Sequence, residues 1–274
     1  MGGVLYLVGT PIGNLGDLSD RARETLASVA LVAAEDTRRT GRLLRGLDIR
    51  KPLVSMFEGN EGERAAELVE RLEGGEDVAV VTDGGMPSIS DPGYRIVQLS
   101  VERGIDVRVI PGPSAALAAL VVSGLPTDRF AFEGVLPRRA GDRGRRLEAL
   151  RQDPRTVVFF ESPRRVHALL EEIVATFGDR RVAVCRELTK LHEEVLRGGA
   201  GDVLDRIGER ELKGEVAVVV EGDRDPDPLD HATLLIEVQH LVEEGMRTRD
   251  AARAVAERHG ASANELYRAA IAED

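Results

Sequence analysis

Short apolar, β-branched runs alternate along this chain with amphipathic segments, which restricts it to folds whose sheets are covered by crossover helices. Val4–Val8, Val29–Ala34, Pro52–Met56, Val78–Val81 and Val107–Ile110 read as one series of strands. Beyond Leu125-Pro126 a second series follows at Phe130–Phe132, Val157–Phe160, Val182–Cys185, Glu194–Leu196 and Val216–Val220. Between the strands lie helices with readable ends. Asn60 followed by Glu63 spells a capping box for a helix through Leu72, Gly74-Gly75 closes it, and Gly104 ends another that starts near Tyr94. The class is α/β, and 274 residues suffice for about two domains. The expected division is an N-terminal α/β domain over 1–120, a second over 121–225 and a helical, helix-turn-helix-like module over 226–274. The stretch Asp223–Pro228, with two prolines among acids, reads as a linker. In the module, Leu234–Val242, Thr248–His259 and Ser262–Ile271 carry helical spacing, the last two broken by Gly260-Ala261.

Composition narrows the chemistry. Cys185 is the single cysteine, and the five histidines show no metal-ligand spacing, so no metal site is expected. No apolar stretch reaches the roughly 18 to 20 residues of a membrane span, and the N-terminus lacks a basic n-region, which predicts a cytoplasmic protein with no membrane partner. The net charge of −11 opposes loose attraction to nucleic acid, and the lack of tryptophan removes single-strand stacking platforms. An RNA role would rest on local patches. Arg38, Arg39, Arg42, Arg45, Arg50 and Lys51 face a single acid, Asp48; Arg138, Arg139, Arg143, Arg145, Arg146, Arg151 and Arg155 face Asp142, Glu148 and Asp153; Arg164-Arg165 follows. Such segments can equally be solvated helix faces.

Several apolar runs end in an acid: Glu35-Asp36, Asp83, Glu161, Glu187 and Glu221. The carboxyl ends of parallel strands are where open α/β sheets bind ligands, and carboxylates there favour a cationic or hydroxyl-rich one, although each acid could also cap the next helix. Three Gly/Pro-rich loops follow strands: Gly9–Asn14, Asp83–Gly93 and Pro111–Ala116. Glycine lets backbone approach a ligand and proline fixes a loop before binding, though tight turns use the same residues. Neither G-x-G-x-x-G nor G-x-x-x-x-G-K-[ST] is present, so dehydrogenase and P-loop readings drop out.

Six ordered motifs carry a resemblance: Leu7–Leu15, Ala33–Arg38, Ser88–Tyr94, Phe159–Ser162, Arg186–Lys190 and Gly214–Gly222. Together, over nearly the whole chain, they resemble the ribosomal RNA small subunit methyltransferase I family, an RNA-directed branch of the tetrapyrrole methylase fold. The resemblance implies 2′-O-methylation of a cytidine ribose in the decoding region of 16S rRNA within the small ribosomal subunit, with S-adenosylmethionine as donor. It implies two α/β domains with the cofactor in the cleft between them, and a homodimer. Carried over by motif, cofactor contacts fall on Pro11 and Gly13, on Asp83, Gly84, Gly85, Met86 and Ile89, on Ser114 and Ala115, and on Glu161, Leu188 and Ala217. The chain departs from the family at Gly84 and Met86, where Ala and Thr are commoner, which puts a side-chain hydrogen bond from position 86 in doubt.

Methyl transfer to a ribose hydroxyl needs in-line alignment and removal of a proton. Only three lysines are present, Lys51, Lys190 and Lys213, which speaks against a two-lysine tetrad. The expected catalytic group is Glu187 with Lys190, faced across the cleft by Glu35, Asp36 and Arg38. The competing enzyme reading is carbon methylation of a tetrapyrrole of the precorrin type, for which arginine-rich helices and a C-terminal helical module have no use. The competing non-enzyme reading is a helix-turn-helix regulator, against which the acidic last helix counts.

Overall fold

The computed structural model describes residues 2–224, 231–259 and 261–271. Its first sheet holds β1 (Val4–Val8), β2 (Leu31–Ala34), β3 (Leu53–Ser55), β4 (Val78–Val81) and β5 (Asp106–Ile110), all parallel in the order β3-β2-β4-β1-β5. Both faces are covered, which is why these strands read as unbroken apolar runs. Leu5, Leu31, Ala33, Val78 and Val80 point to a core shared with α3 (Glu61–Glu73) and α4 (Tyr94–Glu102). Val8, Val32, Ala34, Ala79 and Val81 point to the opposite core, under α1 (Asp20–Ser28) and α2 (Thr37–Gly46). Val29 and Ala30 fall outside β2, because Val29 ends α1 by donating to the Thr25 carbonyl.

The strand order creates a switch point. Neighbours β1 and β4 pair through Leu5–Val78 and Leu7–Val80, yet the chain leaves β1 toward α1 on one face and leaves β4 toward α4 on the other. The loops after these two strands therefore diverge and leave a crevice at their carboxyl ends, the position where such sheets bind ligands.

The second sheet holds β6 (Phe130–Val135), β7 (Thr156–Glu161), β8 (Arg181–Arg186), β9 (Glu194–Gly199) and β10 (Val216–Val220), in the order β6-β7-β10-β8-β9. The α/β class stands, but the expected parallel pattern does not extend to this sheet. Only the β6–β7 pairing is parallel; β10 is antiparallel to β7 and β8, and β8 to β9. Residues 187–193 are too few for the crossover that a parallel β8–β9 pair would require. One face packs on α6 (Ala140–Leu150), α7 (Val166–Phe177) and α8 (Ala200–Ile207) around Phe159; the other lies under α5 (Ala115–Ser123) through Ala116, Ala119 and Leu120.

The Asn60 capping box is also corrected. Asn60 starts α3, but its φ of −123° and ψ of 3° are not the extended values from which a side chain reaches the first turn. Its Oδ1 accepts from Phe57 N at 2.8 Å and its amide donates to the Ser55 carbonyl at 3.2 Å, tying down the preceding turn instead.

Both sheets belong to one compact body, 1–151 with 155–222; a second comprises 152–154 with 223–274. In the latter, α9 (His231–Glu243), α10 (Thr248–His259) and α11 (Ala263–Ala270) bury Leu235, Val238, Ala252, Val255 and Leu266 in a core of their own. Ser262 Oγ caps α11 by accepting from Glu265 N at 3.4 Å. Most of the linker read at Asp223–Pro228, and Gly260 between the last two helices, lie outside the described residues. Among the described residues no helix is long and apolar enough to cross a membrane.

Phe159 is fully buried, so Phe159→Ala should cost about 3–5 kcal/mol in denaturant unfolding, whereas Val121→Ala, at a side chain 73% exposed, should change stability by about 0.5 kcal/mol or less.

Candidate active site

Three loops close over the carboxyl edge of the first sheet, and backbone hydrogen bonds join them. Thr10 N donates to the Gly85 carbonyl at 2.9 Å and Gly85 N returns a bond to Thr10 O at 3.0 Å, bridging the first loop to the second. Thr10 Oγ1 adds a bond to the Thr82 carbonyl at 3.2 Å. Gly9 N donates to Ile110 O at 2.9 Å, and the Gly9 and Gly112 backbones pack so closely that a Cβ on Gly9 would lie 2.6 Å from Gly112 Cα and 2.7 Å from Met86 Sδ. Met86 thus fills the space beside the first loop with its sulfur. Gly85 stands at φ 92°, and a Cβ on Gly84 would meet the Pro11 carbonyl at 3.2 Å. Ser114 Oγ accepts from Leu117 N at 3.4 Å and starts α5 at Ala115.

The first loop also rests on the second half of this body. A Cβ on Gly13 would overlap Lys190 Cγ and stand 2.9 Å from Thr189 Oγ1, so Gly13 seats directly on the turn after β8. Ile12, Leu188, Ala217 and Ala116 share one apolar cluster beneath it. The second loop reaches β6, where a Cβ on Gly134 would lie 3.1 Å from Ser90 Oγ. Non-glycine residues in the left-handed region gather here: Ser88, Ser90, Glu187 and Thr189, with only Asp48 elsewhere among the described residues. Strain of this kind persists where the surroundings fix a loop in a shape the isolated chain would avoid.

Charged groups form a line across the mouth. Glu35 Oε2 accepts from Asp83 N at 3.2 Å, and Asp83 pairs with Arg39 at 2.9 Å. The charged form of Arg39 is favoured first by Asp83 and further by Glu215 from the second half. Lys190 Nζ lies 2.7 Å from Glu187 Oε1 and 3.0 Å from Glu215 Oε2, and Glu187 Oε1 also accepts from Glu215 N at 3.0 Å. The hydrogen bond from Lys190 holds the Glu187 carboxyl below its ordinary pKa. Burial works against the Lys190 ammonium, but Glu187 and Glu215 outweigh it and raise its pKa. The pair is therefore locked in its ionised form. Asp36 and Arg38 are occupied with each other: Asp36 caps α2 and pairs with Arg38 at 2.8 Å, the arginine side chain is 88% exposed, and this pairing pulls the Asp36 carboxyl far down. Arg39, one position on, is the cation that enters the mouth.

Of the remaining expected residues, Ile89 is half exposed on the second loop, while Glu161 sits at the same edge of its own sheet, with Ser162 N on Oε1 at 2.7 Å and Arg165 3.1 Å from Oε2. Glu221 belongs elsewhere. Because β10 runs antiparallel, its carboxyl end lies at the opposite edge from Glu161, where Glu221 pairs with Arg181 at the start of β8. The same reversal brings in Glu215, which lies in the Gly214–Gly222 motif but precedes its strand, where the rule of acids at strand carboxyl ends does not point. No pattern singles out Asp91 within the Ser88–Tyr94 motif, or Thr82 between β4 and the second loop.

Four buried side-chain atoms at the edges where the two sheets meet have no hydrogen-bond partner: Thr82 Oγ1, Ser88 Oγ, Thr189 Oγ1 and Glu161 Oε2, the last in ion contact with Arg165 but without hydrogen-bond geometry. Buried polar groups are normally paired, so this concentration of orphans, two of them on the strained residues Ser88 and Thr189, marks a candidate place for a polar ligand. A cavity of about 450 Å³ beside β6 and α6 and one of about 500 Å³ beside α1 and α2 are lined by no residue of these loops. The orphaned atoms, not those shallow cavities, mark the candidate site.

Of the basic segments, much is neutralised at home. Arg143 pairs with Glu172, Arg145 with Asp142, Arg146 with Glu133 and Arg151 with Glu148, whereas Arg42, Arg138, Arg139 and Arg164 have no acidic partner among the described residues.

Because Gly9 meets backbone, Gly9→Ala should overpack the loops and cost about 1–3 kcal/mol, read as a lowered Tm; Gly46→Ala, in α2 with open space around it, should stabilise by about 0.5–1 kcal/mol.

The model for Tetrapyrrole (Corrin/Porphyrin) Methylases matches residues 4–204, and that for the RsmI C-terminal HTH domain matches 226–274. "Ribosomal RNA small subunit methyltransferase I" of Thermotoga maritima is 47% identical over 80% of this chain and 99% of its own length; the protein of that name from Mycobacterium tuberculosis is 44% identical over 98% and 95%. The solved uroporphyrin-III-C-methyltransferase from Thermus thermophilus shares the fold at a TM-score of 0.55 and 24% identity, over 79% of this chain and 94% of that one. The chain belongs to the tetrapyrrole methylase family and, within it, to the ribosomal RNA small subunit methyltransferase I family.

Proposed function

We propose that this protein methylates ribosomal RNA with S-adenosylmethionine, and that the acceptor is the 2′ oxygen of a cytidine in the decoding region of 16S rRNA within the small ribosomal subunit. The reading places it in the cytoplasm as a homodimer, for which Val109, Leu117 and Val121 on β5 and α5 supply exposed apolar surface. The observation that carries the proposal is the convergence at one switch point of the glycine loops, the ionised Glu187–Lys190–Glu215 group and the orphaned polar atoms. The relatives' shared name supports the substrate class.

The residues present suit the cofactor. Bare backbone at Gly84 and Gly85 admits a close approach, Asp83 offers acceptors to ribose hydroxyls, and orphaned hydroxyls at Thr82, Ser88 and Thr189 await partners. Pro11, Gly13, Ile89, Ser114 and Ala115 form the surrounding rim, with Leu188 and Ala217 as apolar floor and Glu161 at the far side. When bound, S-adenosylmethionine supplies an electrophilic methyl group on a sulfonium sulfur. The chain's part is to exclude water, align the acceptor and stabilise charge that grows on its oxygen. Lys190 is suited to the last task, since its permanent ammonium is fixed by two carboxylates and needs no reorganisation. Glu187 holds Lys190 in place, while Glu35, Asp36 and Arg38, with Arg39 beside them, shape the opposite wall. The unpaired Arg42, Arg138, Arg139 and Arg164 are the proposed phosphate contacts, and the C-terminal helices a docking element on the ribosome.

In single-turnover assays on small ribosomal subunits, Lys190→Ala should lower the rate by about 10²-fold and Glu187→Gln by less, with cofactor affinity by calorimetry little changed. Near wild-type rates in both would remove them from the chemistry. Arg42→Glu or Arg139→Glu should reduce the salt slope of subunit binding by about 1. Mass mapping of methyl groups in 16S rRNA from cells with and without the gene tests the acceptor; methyl incorporation into a precorrin-type substrate instead would contradict it.

A further inference from the structure

We propose that Asp91 is the general base that accepts the proton of the 2′-hydroxyl during methyl transfer, an inference that rests on the ribose-methylation reading above. The ion-paired residues of the mouth are poorly placed for that role. Lys190 holds its proton more firmly than an ordinary lysine, Glu187 is made less basic by Lys190, and Asp36 is both a helix cap and the partner of Arg38. Asp83 is bound to Arg39, and Glu161 to Arg165. These groups position and stabilise charge, and none is a free acceptor.

Asp91 differs in every respect. It is half-buried on the second loop, and among the described residues no lysine, arginine or backbone N–H holds its carboxyl. Its backbone, by contrast, is fixed on both sides: Ser88 N donates to Pro92 O at 3.2 Å, and Gly93 N donates at 2.8 Å to Glu61 Oε1, the first residue of α3. Ser90, immediately before it, is held at φ 62° against Gly134 of β6. The carboxyl faces Glu35 from the end of β2, Asp83 from the end of β4 and the Thr82 side chain. Thr82 Oγ1, on a residue 2% exposed, has no hydrogen bond of ordinary geometry and stands beside the Asp91 carboxyl, whose charged form it favours. Together they offer an acceptor and a donor, the complement of a sugar hydroxyl. Burial first, then the charge of Glu35 and more weakly that of Asp83, pushes the Asp91 pKa up to about 6, with the Thr82 hydroxyl opposing the rise. Such a carboxylate is ionised at neutral pH yet more basic than an ordinary one, the compromise that general-base catalysis favours.

The step balances without a further reactant. A lone pair of the 2′ oxygen forms the O–CH₃ bond as the S–CH₃ bond breaks and leaves its electron pair on sulfur. The hydroxyl proton passes to the Asp91 carboxylate and from there to water, so that the sulfonium's positive charge ends as a released proton.

The test begins with mass mapping of the wild-type product on small ribosomal subunits, since absence of ribose methylation overturns the functional reading and this inference with it. With ribose methylation in hand, the full-length protein labelled with ¹³C at aspartate carboxyls is titrated by NMR without cofactor or RNA. A resonance with a midpoint near pH 6 that vanishes in Asp91→Asn is expected. Single-turnover rates should rise tenfold per pH unit below about pH 6 and level above it. In Asp91→Asn the plateau should fall by about 10²–10⁴-fold and the acid limb disappear, with cofactor affinity by calorimetry intact. Thr82→Val should move the limb to higher pH, a shift that a purely structural role for Asp91 would not produce. Ribose methylation by Asp91→Asn at near wild-type rate, an acid limb that persists in it, or an Asp91 carboxyl titrating at an ordinary value of about 4 would overturn the assignment while leaving the enzyme's function standing.

Discussion

The pair of backbone hydrogen bonds between Thr10 and Gly85 is the constraint on which the site depends. It ties together two loops that the strand order would otherwise send apart over opposite faces of the sheet. The rest of the candidate site is arranged around that tie. Gly9 and Gly112 must be glycines because backbone meets backbone there, and Gly13 must be one because Lys190 lies against it. The loop between them therefore transmits the geometry of the first sheet to the turn after β8. Two α/β layers that share little core thereby place carboxylates and an ammonium on one mouth with defined spacing.

The electrostatics of that mouth divide into two kinds of group. Glu187, Lys190, Glu215, Asp83 and Arg39 are mutually paired, which fixes their charges and their positions. Paired charges are good at orienting a substrate and stabilising a transition state, since they do not reorganise when charge develops. They are poor at exchanging protons, because their ionised forms are already stabilised. Asp91, half-buried beside Glu35 and Asp83, is pushed the other way, with its pKa raised to about 6.

Much of the architecture was legible in the sequence because its signals are local. All ten strands coincide with short runs read from the sequence, most of them β-branched, although β6 is marked by Phe130 and Phe132 instead, and three glycine loops follow strands of the first sheet. What escaped depended on direction and partner choice. The antiparallel course of β10 moved Glu221 away from the site and brought Glu215 into it, and no residue pattern in a fully buried run of valines records which way the strand points. Arg38 and Arg39 are adjacent and chemically identical, so only the helix start set by Asp36 decides that the second reaches Asp83. The Asn60 motif failed for a similar reason, since a capping box needs an extended backbone that the turn at Phe57 does not allow. The basic helices were misjudged in magnitude, because acids distant in sequence, such as Glu172 and Glu133, neutralise arginines that looked free.

The central claim is that the three loops and the turn after β8 form a single ligand site. Hydrogen exchange of the full-length protein, followed by mass spectrometry with and without S-adenosylhomocysteine, addresses it directly. The account predicts slowed exchange concentrated in residues 9–14, 83–93, 111–116 and 187–190. Protection confined to residues 133–149, or none in any of the loops at saturating ligand, would contradict it.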